Sequence, residues 1–137
     1  MILVDTNVWS ELTRAEPETS VQRWEKMKAD RLWLATIVIG ELLSGAHILP
    51  EGRRKQKFLD GYANLIAIHA DRIVPFDLDA AQKYGPVLAF LESSGRNPTT
   101  ADAQLAAIAL SRGMAVATRN VKDFVGLNIE LINPWEA

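Results

Sequence analysis

The chain opens on a short apolar run, Ile2-Leu3-Val4, and similar runs recur at Leu32-Trp33-Leu34-Ala35, Ile73-Val74-Pro75-Phe76, Ala115-Val116-Ala117 and Ile129-Glu130-Leu131-Ile132, the first four separated by long stretches with helical spacing. Short apolar runs bounded by polar or turn residues suit strands buried on both faces. Strands joined through helices cannot close as hairpins, so the crossovers make neighbouring strands parallel. The expected fold is α/β, a mainly parallel central sheet with helices on both faces. At 137 residues the chain fits one domain with one core, taken as residues 1–137. Pro75 lacks an amide hydrogen and assigns the third strand to an edge. Strand order is not legible at this level.

The helices carry their own signals. One is expected from about Asn7. Thr19-Ser20-Val21-Gln22 reads as a capping box, opening a helix that buries Val21, Trp24 and Met27. Thr36 is expected to cap a helix running to about Ala46, and Pro50 and Gly52 mark the next boundary. A long helix then covers Arg53 to His69. Asp77 reads as the N-cap of a helix through Ala80, Tyr84, Val87, Leu88 and Leu91. Asn97-Pro98-Thr99-Thr100 is a helix entrance, an almost wholly apolar helix follows from Ala101 to Leu110, and Gly113 ends it.

The absence of cysteine excludes disulfides, thiolate catalysis and Cys-type zinc sites. No run of about 18 apolar residues exists to span a membrane. Met1-Ile2-Leu3-Val4-Asp5 has neither the basic region nor the cleavage pattern of a signal peptide, so a cytoplasmic location is expected. A formal charge of −2 gives no broad attraction to a polyanion. A nucleic-acid substrate would need a metal ion or a local basic patch. Arg53-Arg54-Lys55 with Lys57 is such a cluster, read here as a solvated helix face.

In open α/β sheets, ligands bind outside the carboxyl ends of the strands. Asp5-Thr6-Asn7 follows the first strand. Thr36 follows the second, with Glu41 just over a helical turn beyond it. Thr118-Arg119-Asn120 follows the fourth, and Asp102 stands in the first turn of the apolar helix. Each acid has an ordinary alternative. Asp5 can cap a helix, Asp102 can complete a Thr99-x-x-Asp102 box, and Glu41 can be a solvated residue at the margin of the face made by Val38, Leu42 and Ala46. Together they form a constellation of carboxylates, which repel one another unless a cation joins them. Oxygen-only ligands with open positions suit Mg²⁺ or Mn²⁺, and such ions serve phosphodiester hydrolysis. No phosphate-binding Gly-x-x-x-x-Gly-Lys loop and no Gly-x-Ser-x-Gly elbow is present. His47 and His69 lack ligand spacing and read as ordinary helix residues.

Four ordered blocks resemble PIN domains, especially the toxins of VapBC-type toxin–antitoxin pairs. They are Ile2-Leu3-Val4-Asp5-Thr6-Asn7, Glu41-Leu42-Leu43-Ser44-Gly45, Thr100-Ala101-Asp102-Ala103-Gln104-Leu105-Ala106-Ala107 and Ala117-Thr118-Arg119-Asn120-Val121-Lys122-Asp123-Phe124. The closing Asn133-Pro134-Trp135 is similar to the FitB-like subgroup. The resemblance implies a PIN fold and an Mg²⁺- or Mn²⁺-dependent endoribonuclease with Asp5, Glu41 and Asp102 as metal-binding catalytic acids. Many relatives have a fourth acid where this chain has Asn120, whose amide can hold a water or a ligand oxygen but adds no charge. Asp123 is the alternative fourth acid, or else supports a short helical turn. Thr6 and Thr118 are expected to orient acids or waters, and Arg119 to touch RNA phosphate or lie on the surface. The family further implies an RNA substrate, an antitoxin of VapB/FitA type, a homodimer and no membrane. Two other readings stand beside it. One is a phosphoryl-transfer domain with Asp5 as nucleophile, although Asn7 occupies the place of its second aspartate. The other is a non-catalytic PIN-like interaction domain.

Overall fold

A computed structural model describes residues 1–137. It holds a five-stranded sheet in the order β3-β2-β1-β4-β5, every neighbouring pair parallel. The strands are β1 (Ile2–Val4), β2 (Leu32–Ala35), β3 (Ile73–Val74), β4 (Ala115–Ala117) and β5 (Leu131–Ile132). The helices are α1 (Thr6–Leu12), α2 (Thr19–Lys28), α3 (Thr36–His47), α4 (Arg53–Ile68), α5 (Leu78–Ser93) and α6 (Thr100–Arg112). β1, β2 and β4 are buried along almost their whole length, as their unbroken apolar runs require. α6 buries Ala103 and everything from Leu105 to Ala109, so its nearly all-apolar surface is accounted for by burial.

The order of strands positions the site. The chain starts in the middle of the sheet at β1, steps outward through β2 to β3, then returns to the other side of β1 for β4 and β5. With right-handed crossovers, the helices of the outward steps lie on one face and α5 and α6 on the other. The direction therefore reverses between β1 and β4, and the crevice at such a reversal opens at the strands' carboxyl ends. Val4 pairs with Ala117, so the next residues on each strand, Asp5 and Thr118, stand side by side there.

Several local expectations need correction. β3 is the expected edge strand, but it stops at Val74, because Pro75 has no amide hydrogen to continue the ladder. The Thr19-x-x-Gln22 capping box does not form. Thr19 is already the first residue of α2, its N-cap is Glu18, and the Glu18 amide donates to Glu11 Oε2 at 3.1 Å. Met27 is 69% exposed rather than buried, since each three-residue step along a helix falls about 60° short of a full turn and carries it off the face of Val21. Thr36 is likewise inside α3, whose N-cap is Ala35. Asp77, Thr99 and Gly113 do hold their helix ends: Asp77 and Thr99 accept amides from Ala80 and Asp102, and Gly113 takes φ 63°. His69 closes α4, buried edge-on against Trp9 with ring centroids 5.2 Å apart, a packing role. No helix is long and apolar enough to cross a membrane.

Candidate active site

Asp5 is where β1 ends and α1 begins. Its amide still belongs to the sheet, donating to the Ala117 carbonyl at 2.9 Å. Its carboxylate caps α1, with Oδ1 accepting the Thr6 amide at 2.7 Å. Oδ2 accepts the Thr118 hydroxyl at 2.8 Å and the Asn7 side-chain amide at 3.3 Å. The capping role and the place in the crevice are thus held by one side chain, 7% exposed. Thr118 is fully buried, and its Oγ1 accepts both the Asn120 amide at 3.1 Å and Asn7 Nδ2 at 3.3 Å. With two N–H groups donating to this oxygen, its single proton is directed to Asp5.

Thr6 couples the first two acids. While its amide serves Asp5, its hydroxyl donates to Glu41 Oε1 at 2.7 Å. Glu41 is exposed, on the surface of α3 next to Gly40, Ser44 and Gly45. Asp102 enters from α6, where its own amide is held by the Thr99 hydroxyl at 3.1 Å. The acids feel one another. Burial pushes the Asp5 carboxyl above the usual aspartate range against the hydrogen bonds from Thr118 and Thr6, and the charges of Asp102 and Glu41 push it further. Burial also raises Asp102, opposed by hydrogen bonding with Thr99 and reinforced by the charges of Asp123 and Glu41.

Asp123, at the end of the 3-10 turn Val121–Asp123, shares a small polar cleft of about 180 Å³ with Asp102 and Arg96. It supports a turn and also stands beside an acid. Asn120 is exposed, and its hydrogen bond to this network runs through its backbone amide to Thr118. The Arg119 amide donates to Asn7 Oδ1 at 3.2 Å, and its guanidinium lies over the Trp135 ring, 4.8 Å from the centroid. The residue that the sequence reading left without a role is Asn7. Its amide bridges Asp5, Thr118 and Arg119, joining the ends of β1 and β4. The signal was its place two residues after Asp5, close enough for a short amide to reach the neighbouring strand end.

No three acidic or imidazole groups close around a single point. The carboxylates lie within electrostatic reach of one another without closing into such a group. That arrangement fits a hard divalent ion such as Mg²⁺, which keeps several waters and takes only one or two carboxylates directly.

A stability consequence follows from the direction of these shifts. Because the folded-state pKa of Asp102 lies above its unfolded value, the fold binds that proton more tightly. The resulting stabilisation is present at low pH and is lost as pH rises through the folded pKa. Asp102→Asn removes the ionisation. In chelator it should melt above the parent at pH 7, by roughly 2–4 °C, with the difference shrinking toward pH 4. A variant that melts below the parent at pH 7 would contradict the repulsive cluster.

Comparison with known proteins fits this geometry. Residues 2–125 match the PIN domain family. The chain is 39% identical to the VapC ribonuclease Y4jK of Sinorhizobium fredii (strain NBRC 101917 / NGR234), over 99% of each chain. It is 40% identical to the plasmid stability protein StbB of Pseudomonas syringae pv. tomato (strain ATCC BAA-871 / DC3000), over the full length of both. Among solved structures, that of FitAB bound to an IR36 DNA fragment superposes with a TM-score of 0.92 at 31% identity, covering 98% of this chain and 96% of that one.

Proposed function

The chain belongs to the PIN-domain family, and from that premise we propose that it is a divalent-metal-dependent endoribonuclease, the toxin of a VapBC-type toxin–antitoxin pair. The observation that carries this reading is the hydrogen-bonded unit Asp5–Thr6–Glu41, set at the β1/β4 reversal within electrostatic reach of Asp102. The names of the relatives, a VapC ribonuclease and a plasmid stability protein, support it. The whole of 1–137 is read as one PIN domain. RNA is the substrate, the partner is an antitoxin of VapB/FitA type, the chain acts as a homodimer, and the place of action is the cytoplasm.

Asp5, Glu41 and Asp102 would hold the ion, Mg²⁺ or Mn²⁺. When bound, it supplies Lewis-acid stabilisation of the charge that develops on the phosphate. The chain's own groups do the rest. Thr118, Thr6 and Asn7 donate to Asp5 and orient it in a buried position, and the bonds from Thr118 and Thr6 favour its ionised form against the burial that opposes it. Thr6 fixes one oxygen of Glu41 and leaves the other free to orient the attacking water. Asn7, committed to three neighbours, cannot supply the second acid of an Asp5-nucleophile phosphatase. Incubation with cellular RNA tests the reading: cleavage should require Mg²⁺ or Mn²⁺ and stop in chelator. No cleavage with either ion would leave the non-catalytic interaction domain in its place.

The fourth acid is the point of departure from the family pattern. We assign it to Asp123, which stands beside Asp102, and give Asn120 only a water-mediated part. Calorimetric titration with Mn²⁺ in the absence of RNA separates the two. Asp123→Asn should weaken the second ion bound, because a neighbouring pair of cations needs each compensating charge. Asn120→Asp should tighten it by less than Asp123→Asn weakens it. A parent-like titration for Asp123→Asn would return the fourth position to Asn120.

A further inference from the structure

The basic cluster at the start of α4 has no part in the chemistry above; Arg53, Arg54 and Lys57 are exposed, as a solvated face requires, and Lys55 is half-buried. Lys55 is paired with Glu51 at 2.6 Å. Arg54 makes no ion pair and lies 5.7 Å from the Phe58 ring centroid. The first turn of α4 contains three cations and no acid, and its N-cap Gly52 offers no side-chain bond. The helix dipole disfavours cations at this end, and of the three only Lys55 has a counter-charge, that of Glu51.

Arg54 also lines a cleft of about 270 Å³ that begins at Thr6 and Glu41 in the acid cluster. One wall carries the hydroxyls of Ser10 and Thr13, a second the small residues Gly45 and Ala46, and a third the Phe58 and Tyr62 rings, 6.0 Å apart and tilted by 30°. Arg14 lines it too, tied at 3.2 Å to the buried carboxylate of Glu11. Past Arg14 and Arg54 the surface continues to Lys57.

From this juxtaposition we propose that the cleft binds the RNA nucleotide next to the scissile phosphate, its phosphate held by Arg54 and Arg14 and its base laid on the Phe58 wall. The inference rests on the ribonuclease reading. A strand cut at the acids must leave the site along some path, and this path combines cations, hydroxyls and an aromatic face, the parts that recognise a single strand. In a chain of net charge −2, attraction for a polyanion has to be local.

The test is fluorescence anisotropy with four fluorescein-labelled octaribonucleotides, oligo(A), oligo(C), oligo(G) and oligo(U), titrated with salt in Mg²⁺. The 137-residue chain carries Asp5→Asn to prevent cleavage. Arg54→Ala should weaken binding about fivefold or more and reduce the slope of log K against log salt by about 0.7, one single-strand phosphate contact. Arg54→Lys should restore most of both. Lys83→Ala, an equal charge change on exposed α5, should do neither. Because Arg54 is exposed and opposes the dipole, its loss should leave the melting temperature at or above that of the Asp5→Asn chain. If Arg54→Ala weakens RNA no more than Lys83→Ala, the inference is overturned and the cleft belongs to a protein partner, while the ribonuclease reading survives. A chain that binds none of the oligonucleotides, and whose parent cuts no RNA, overturns both.

Discussion

Asp5→Asn should reduce metal-dependent RNA cleavage by more than about 100-fold, the upper end of what losing a mere hydrogen-bond partner of a ligand costs. The substitution is nearly isosteric. The asparagine Oδ1 can still accept the Thr6 amide and cap α1. Its Nδ2, however, faces the Thr118 hydroxyl and the Asn7 amide, both of which donate toward Oδ2 in the parent. What disappears is the negative charge at the β1/β4 reversal. The fold should survive, because the desolvation that raises the Asp5 pKa is relieved by a neutral side chain. Cleavage at the parent's rate with equal Mg²⁺ would mean that Asp5 is not a ligand and that its carboxylate is only a helix cap.

Thr118→Val is the second large effect. The valine fills the same volume, and Thr118 is fully buried, so the change removes hydroxyl chemistry rather than packing. Asp5 loses its hydroxyl donor to Oδ2, at 2.8 Å, and the Asn7 and Asn120 N–H groups lose an acceptor. These donors are only partly buried, so the cost should fall below the about 1–3 kcal/mol of a fully buried unsatisfied donor. Activity should fall about 10–100-fold, as for other residues that orient a metal ligand. Thr118→Ser keeps the hydroxyl and should retain most activity while losing a methyl contact. Assaying the two variants side by side separates orientation from packing. A valine variant as active as the serine variant would show that the hydroxyl does not serve Asp5.

The parts of this architecture that were legible in the sequence are those set by local composition. Apolar runs too short to be anything but buried strands, and a proline that shortens an edge, speak for themselves in Ile2-Leu3-Val4 and Val74-Pro75. The central position of β1 was not legible, because strand order depends on which crossover returns across the sheet, and no local pattern encodes that. Helix starts at Thr19 and Thr36 were misplaced by one residue. A threonine can be either N-cap or first helical residue, and the preceding Glu18 amide is drawn to Glu11 from outside the helix. At the site, the acids were visible as residue types after strands. Their cross-links were not. Asn7 and Thr118 are 111 positions apart and meet only through the β1–β4 pairing. The same holds for Arg54, whose charge reads as surface until α4 is packed beside the acid cluster.

The central claim is that Asp5, Glu41 and Asp102 act as one divalent-ion site. Crystals soaked in Mn²⁺ and measured at a wavelength where manganese scatters anomalously address it directly. The account predicts an anomalous peak at the carboxyl end of β1, with Asp5 and Asp102 oxygens bound to the ion at roughly 2.0–2.2 Å and Glu41 bound directly or through one water. A clear map with no peak among these three carboxylates, or with manganese bound only elsewhere on the chain, would contradict it.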